Sequence, residues 1–233
     1  MVGSIFNATS VAGIRKLQKI AVEQTRLGIP ILFGQDVIHG YKTIFPIPLA
    51  ESCSWDLALI RKTAELAARE ASADGINWTF APMVDITRDA RWGRVMEGAG
   101  EDPYLGSLIA EARVKGFQGG ENWQTLSSPH TLLACGKHFA GYGAAESGKD
   151  YNTAELSMHT LRNVYLPPYE ATLNAGVGSI MASLNEINGV PATADKWLLT
   201  EVLRKEWGFN GLLVSDYTGI NELVRHGVAK DDK

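Results

Sequence analysis

Gly211-Leu-Leu-Val-Ser-Asp216-Tyr217 is an apolar run that ends on a carboxylate, and it follows the stretch Trp197-Leu-Leu-Thr-Glu-Val-Leu-Arg-Lys-Glu-Trp-Gly208. A short apolar run bounded by glycine and a polar residue reads as a buried strand. In the stretch before it, Leu198, Leu199, Val202 and Leu203 form an apolar stripe at helical spacing, Asp195 stands at an N-cap position and Gly208 at the stop. A helix that feeds directly into a buried strand is one joint of a β/α fold. Asp216 then lies at the C-terminal edge of its strand, the end at which parallel β/α barrels keep their chemistry.

Outward from that joint the pattern repeats. Strand-like apolar runs occupy 2–6, 30–33, 76–84, 131–139, 178–184 and 211–214. Between them, 55–73 predicts an amphipathic helix with Ile60, Ala64, Ala67, Ala68 and Ala71 on one face and Arg61, Lys62, Glu65 and Arg69 left for solvent. Helix-to-strand joints recur at Leu27-Gly-Ile-Pro30 and Ala175-Gly-Val-Gly178. A βαβα order implies a parallel sheet, either doubly wound or closed into a barrel. No glycine fingerprint joins a strand to a helix as a dinucleotide site requires, which favours a (β/α)8 TIM-type barrel. A complete barrel has eight strands and six runs are present, so the chain reads as one barrel domain over 1–233, incomplete at one or both ends and part of a larger protein.

The 233 residues are 45% hydrophobic and 21% charged, ordinary for a globular domain. A formal charge of −4 without a Lys/Arg cluster argues against a nucleic-acid partner. No apolar stretch approaches the roughly 20 residues of a membrane span, and the N-terminus lacks the layout of a signal peptide. Cys53 and Cys135 are too few for a disulfide framework and are both expected to be small buried hydrophobes. The five histidines are scattered without ligand spacing, so neither a metal nor another cofactor is expected.

Polar groups close other apolar runs in the same way. Asp36 ends one, with His39 just after it, and Lys137-His138 ends another. Neighbouring strand residues point to opposite faces, so Lys137 and His138 reach one ligand only where the strand breaks; Phe139-Ala-Gly-Tyr142-Gly supplies an irregularity there. Asp85-Ile-Thr-Arg88-Asp89-Ala-Arg91-Trp92-Gly93-Arg94 is denser. It reads either as a sugar site, with Trp92 as a flat apolar face and charged groups as bidentate partners, or as an ion-pair network that orders a loop.

These residues carry a resemblance. Gln35-Asp-Val-Ile-His-Gly40, Ala81-Pro-Met-Val-Asp85 with Arg91-Trp-Gly-Arg94, Glu97-x-x-x-x-Asp102-Pro-Tyr104, Gly136-Lys-His-Phe139, Asn188-Gly-Val-Pro-Ala192 and Trp207-Gly-Phe-x-Gly-x-x-Val-Ser-Asp216 resemble, in order, the N-terminal barrel domain of glycoside hydrolase family 3, and within it the bacterial periplasmic β-glucosidase group. The resemblance implies a retaining β-glycosidase acting on terminal β-D-glucosyl residues without a cofactor, in the periplasm or outside the cell. It implies Asp216 as nucleophile and Asp36, Arg94, Lys137 and His138 as the groups that hold the sugar's hydroxyls, with β-glucosides or related oligosaccharides as partners.

Retaining hydrolysis also needs a second carboxylate about 5–5.5 Å from the first, to protonate the leaving oxygen. In the two-domain members of the family a glutamate on a C-terminal domain does this, and that domain is expected to be absent here. A smaller branch uses an Asp-His pair on the loop after Lys-His, where this chain has Tyr142. Glu97, Glu101, Glu146 and Asp150 are the in-chain alternatives. Two further readings remain open: a sugar-binding but catalytically incompetent barrel, and a lyase or aldolase that uses Lys137 as a Schiff base.

Overall fold

The computed structural model describes residues 2–120 and 123–231. Every expected apolar run contributes to a strand: β1 (Ser4–Phe6), β2 (Leu32–Gln35), β3 (Trp78–Thr79), β4 (Cys135–Phe139), β5 (Ser179–Ala182) and, after a short hairpin, β8 (Leu212–Ser215). The helices between them are α1 (Val11–Gln24), α2 (Pro48–Ser52), α3 (Leu57–Ala73), α4 (Pro103–Gln118), α5 (Met158–Thr160), α6 (Pro167–Asn174) and α7 (Gly219–Arg225). No described helix is long and apolar enough to cross a membrane.

The six strands form two parallel sheets, β1-β2-β3 and β4-β5-β8. Isolated parallel bridges at Trp78↔Leu133 and Met83↔Lys137 link the two, and the Cys135 amide donates to the Ala81 carbonyl at 2.8 Å. The run 76–84 shortens to β3 because Pro82 has no N–H to give to a ladder. β1 and β8 are the outermost strands, yet Ser4 and Phe6 line the same cleft as Val214 and Asp216, so the sheet curls. The parallel α/β architecture expected from the sequence is present. Among the described strands β1 and β8 do not pair and no barrel closes: the strands stand as two linked three-stranded parallel sheets.

Helix positions follow from local chemistry. Asp56 caps α3, accepting from the Leu59 amide at 2.9 Å, and Ile60, Ala64, Ala67, Ala68 and Ala71 are all buried, as their period predicts. Trp55, expected inside this helix, precedes the cap and is exposed. The small residues of α3 let α4 approach closely: a Cβ at Gly116 would stand 2.5 Å from the Arg61 carbonyl oxygen. The expected helix at 195–207 is Trp197–Glu206, wound more widely than an α-helix, and Asp195 still caps it through the Leu198 amide at 3.1 Å. Leu198, Val202 and Leu203 are buried there and Leu199 packs half-buried against the same core.

That core lies between the sheets and the helices, with Phe33, Ile180, Phe117, Val114 and Tyr169 at its centre. A second cluster of Trp78, Phe80, Cys135 and Met181 fills the sheet's other face, below the cleft. The antiparallel hairpin β6 (Glu186–Ile187) and β7 (Val190–Pro191) was not expected. Its signal is the pair Asn188-Gly189, both at positive φ, 51° and 81°, the chemistry of a two-residue primed turn.

Cys135 is buried as expected and Cys53 is not. Cys53 follows the last turn of α2, where the chain leaves for solvent. Burial pushes the Cys135 thiol up to about 12, only partly offset by the Ser179 hydrogen bond and the Lys137 charge. Since the thiolate is the nucleophile, iodoacetamide at pH 8 is expected to modify one thiol of the native chain, Cys53, and both after denaturation. Two modified thiols in a natively folded sample would contradict this placement.

Candidate active site

Four strand ends build one cleft of about 280 Å³, near the lower limit of small-ligand sites. Asp36 follows directly on β2, Lys137 and His138 lie on β4, Ser215 ends β8 with Asp216 next to it, and the one-turn helix Gly93–Glu97 after β3 carries Arg94. Asp36, Arg94, Lys137, His138 and Asp216, from positions spread over 180 residues of sequence, all line it. Lys137 and His138 both reach the cleft because the β4–β5 register shifts between Gly136 and Phe139.

Each charge has a partner. Lys137 Nζ donates to Asp36 Oδ1 at 2.9 Å; the lysine is 5% exposed and the aspartate 44%. Arg94 holds Glu97 with two bonds, Nε to Oε1 at 2.6 Å and Nη2 to Oε2 at 2.9 Å. Burial opposes the Arg94 cation, but Glu97 outweighs it and the guanidinium is held well above its ordinary range. For Glu97 burial also works against the charge, and Arg94, helped by Lys137 and His138, brings its carboxyl below the usual value. A lysine bound to a carboxylate is a charged donor, which argues against the Schiff-base reading.

His138 is 1% exposed. Its backbone amide and Nδ1 both meet Asp85 Oδ2, at 3.0 and 2.8 Å. Burial lowers its pKa, with Lys137 and Arg94 adding to that and Asp85 opposing it. Asp216 Oδ1 accepts from the Tyr217 amide at 2.6 Å. Its Oδ2 is buried without a hydrogen-bond partner and lies 3.7 Å from His138 Nε2. A buried carboxylate oxygen left unsatisfied is costly, and here it faces the cleft wall occupied by Arg94 and His138.

The dense arginine loop divides between its two readings. Arg94 reaches the cleft; Asp89 and Arg91 pair with each other in solvent, 2.7 Å apart. Trp92 is buried, packs on Tyr142 with ring centroids 5.1 Å apart and donates to Asp150 Oδ1 at 2.8 Å, so it orders the loop and offers no face to a ligand. The apolar faces of the cleft are instead Phe6, Trp78, Phe80 and Tyr217. Trp78 sits in the apolar run at 76–84, where burial is the natural reading, and only the curl of the sheet turns it toward the cleft. His39 is a satisfied loop residue, its Nδ1 3.0 Å from the Phe45 carbonyl oxygen.

None of the four in-chain candidates for the second carboxylate lines the cleft. Glu97 is held by Arg94, Asp150 by Trp92, and Glu101 and Glu146 are exposed.

Residues 1–233 match the model of the glycosyl hydrolase family 3 N terminal domain. The periplasmic beta-glucosidase of Salmonella typhimurium is 48% identical over 230 residues, 99% of this chain and 30% of that protein. A beta-xylosidase of Formosa agariphila is 38% identical over 94% of this chain and 32% of its own length. The crystal structure of a beta-glucosidase from Listeria innocua in complex with glucose superposes with a TM-score of 0.95 at 47% identity, covering 98% of this chain and 32% of that one. The chain thus spans about a third of the length of the relatives it matches, and with a family model matched from end to end it belongs to glycosyl hydrolase family 3, a family of glycoside hydrolases, as its N-terminal domain.

Proposed function

We propose that this chain carries the sugar-binding site and the nucleophile of a retaining β-glycosidase of the β-glucosidase type. Asp216 attacks the anomeric carbon, and Asp36, Arg94, Lys137 and His138 hold the hydroxyls of the terminal non-reducing sugar. The observation that carries the reading is Asp216 Oδ2, a buried oxygen without a hydrogen-bond partner at the wall of a cleft where Asp36, Lys137, Arg94 and His138 are each paired. An attacking oxygen must keep its lone pair free, and a purely structural carboxylate at this depth would be bonded.

The curled six-stranded sheet is, in this reading, part of a (β/α)8 barrel whose remaining wall and C-terminal domain lie outside these 233 residues. The proton for the leaving group then comes from a carboxylate of that other sequence, since Asp36 is tied to Lys137 and among the described residues no third carboxylate lines the cleft. The glucosyl preference follows the likeness to the beta-glucosidases at 47–48% identity rather than to the beta-xylosidase at 38%.

The test is incubation with a 2-deoxy-2-fluoro-β-glucoside of dinitrophenol, followed by intact mass and peptide mapping. Asp216 Oδ2 bonds to the anomeric carbon as the carbon–oxygen bond to the phenol breaks; dinitrophenolate leaves with the electron pair and needs no proton. An adduct on the peptide containing Asp216 is the expected outcome. No adduct in a sample that still melts cooperatively and binds glucose would favour the alternative, a sugar-binding but catalytically incompetent domain.

A further inference from the structure

Two buried residues stand behind His138 and do not line the cleft. Asp85 Oδ2 meets His138 Nδ1 at 2.8 Å, and Tyr169 of α6 donates from its hydroxyl to Asp85 Oδ1 at 2.7 Å while lying against the His138 carbonyl. On the other side of the ring, Arg94 Nη2 is 3.0 Å from Nε2. An arginine has only donors to offer and a carboxylate accepts. Nδ1 therefore carries the proton and Nε2 the lone pair.

We propose that Asp85 and Tyr169 are positioning residues: they hold His138 as the Nδ1–H tautomer, and that tautomer sets both the orientation of Arg94 and the freedom of Asp216. The inference rests on the reading of this cleft as a glycosidase site.

The proton count shows what the tautomer does. Arg94 spends Nε–H and one Nη2–H on Glu97 and the second Nη2–H on His138 Nε2, which leaves Nη1 as the donor available to a sugar hydroxyl. The opposite tautomer would set N–H against N–H and turn the guanidinium away. It would also place a proton on the nitrogen that lies 3.7 Å from Asp216 Oδ2, drawing electron density from the oxygen that must attack. One proton on the wrong nitrogen thus removes a donor and hinders the nucleophile together.

The groups facing the imidazole are Asp85 on the loop after β3, Tyr169 on α6, Arg94 and Glu97 on the one-turn helix, Lys137 along β4, Asp216 after β8 and the Tyr142 ring edge-on at 5.1 Å. Of these, Asp85 is the one that accepts from Nδ1, and Tyr169 gives that carboxylate a further donor. Burial, with Asp85 beside it, holds the Tyr169 phenol far above its usual range, so it remains a donor.

The experiment is long-range ¹⁵N–¹H NMR on the 233-residue chain labelled at histidine, with His138→Gln to assign the signal, alongside kinetics of the fluoroglucoside labelling. Wild type is expected to show neutral Nδ1–H at His138 near pH 7. Tyr169→Phe keeps the ring packed on Phe139, 5.2 Å between centroids, and leaves Asp85 with one donor fewer; the His138 titration should move to higher pH. Asp85→Asn can present its amide to Nδ1, and Nε2–H should become the major form, as Asp→Asn changes behind catalytic histidines do. The labelling rate constant in Asp85→Asn should fall by about tenfold or more, with less change in the concentration for half-saturation.

A purely structural role would move the melting temperature and leave the tautomer as it is. Nε2–H in wild type, or Nδ1–H retained in Asp85→Asn, overturns the proposal. Neither readout needs turnover, so a wild type that fails to label would sink the functional reading while NMR still decides this one.

Discussion

Replacing Asp216 by Asn is expected to abolish covalent labelling by the 2-fluoroglucoside, with the rate falling on the order of 10⁴-fold or more, as losses of a nucleophile do. The physical reason is specific to one oxygen. Oδ1 already accepts the Tyr217 amide, while Oδ2 has no partner and lies 3.7 Å from a histidine nitrogen that carries a lone pair. Asn keeps the shape and can keep the Oδ1 contact, but its second terminal atom is an amide nitrogen without nucleophilic character. His138 Nε2 already accepts from Arg94 at 3.0 Å, so the substitution removes the reactivity without disturbing that contact. A melting temperature near that of wild type with no adduct is the expected pair of results. An adduct that persists in Asp216→Asn on another carboxylate would reassign the nucleophile.

Glu51→Ala is expected to cost about 3–5 kcal/mol, the penalty for leaving a buried charge without its partner. Glu51 on α2 and Arg113 on α4 form an ion pair whose side chains are 7% and 6% exposed, and burial pulls the arginine's pKa down against the pull of Glu51. Arg113 Nη1 also donates to the Ile38 carbonyl at 3.0 Å, two residues past Asp36. The pair therefore ties two helices to the loop that carries a cleft residue. Because Glu51 Oε1 and Arg113 Nε have no hydrogen-bond partner, the charges are not fully compensated even when paired. A double variant, Glu51→Leu with Arg113→Met, should recover most of the loss, as apolar replacements of buried pairs do. Urea unfolding reads both. A midpoint for Glu51→Ala that implies less than about 1 kcal/mol would mean that water reaches the pair and the pocket is not closed.

The parallel α/β order was legible because its cause is local. Apolar runs bounded by glycine and proline become β2, β5 and β8, and Ala64, Ala67, Ala68 and Ala71 at helical spacing become the buried face of α3. The same locality hid other features. Pro82 interrupts a ladder inside a run that composition alone marks as one strand, and the exposure of Cys53 depends on where a five-residue helix happens to end. Closure of the sheet is not written in these runs: their number says how many strands form, and β1 and β8 do not pair.

The five cleft residues were legible as a set, because charged side chains at the ends of apolar runs are held rigidly at one end of a parallel sheet. Their partners were not. That Lys137 binds Asp36, that Glu97 rather than Asp216 takes the bidentate bonds of Arg94, and that Trp92 turns inward to Asp150 are outcomes of packing between segments far apart in the chain. Tyr169 is the extreme case. It sits in an unremarkable Pro-Pro-Tyr-Glu helix start 84 residues from Asp85, and no spacing rule connects the two. Periodicity, capping and strand termination act over a few residues and so are written along the chain. Which donor meets which acceptor in a buried cleft, and hence where the protons of His138 and the free lone pair of Asp216 lie, exists only after distant strands and helices have been brought within 3 Å of each other.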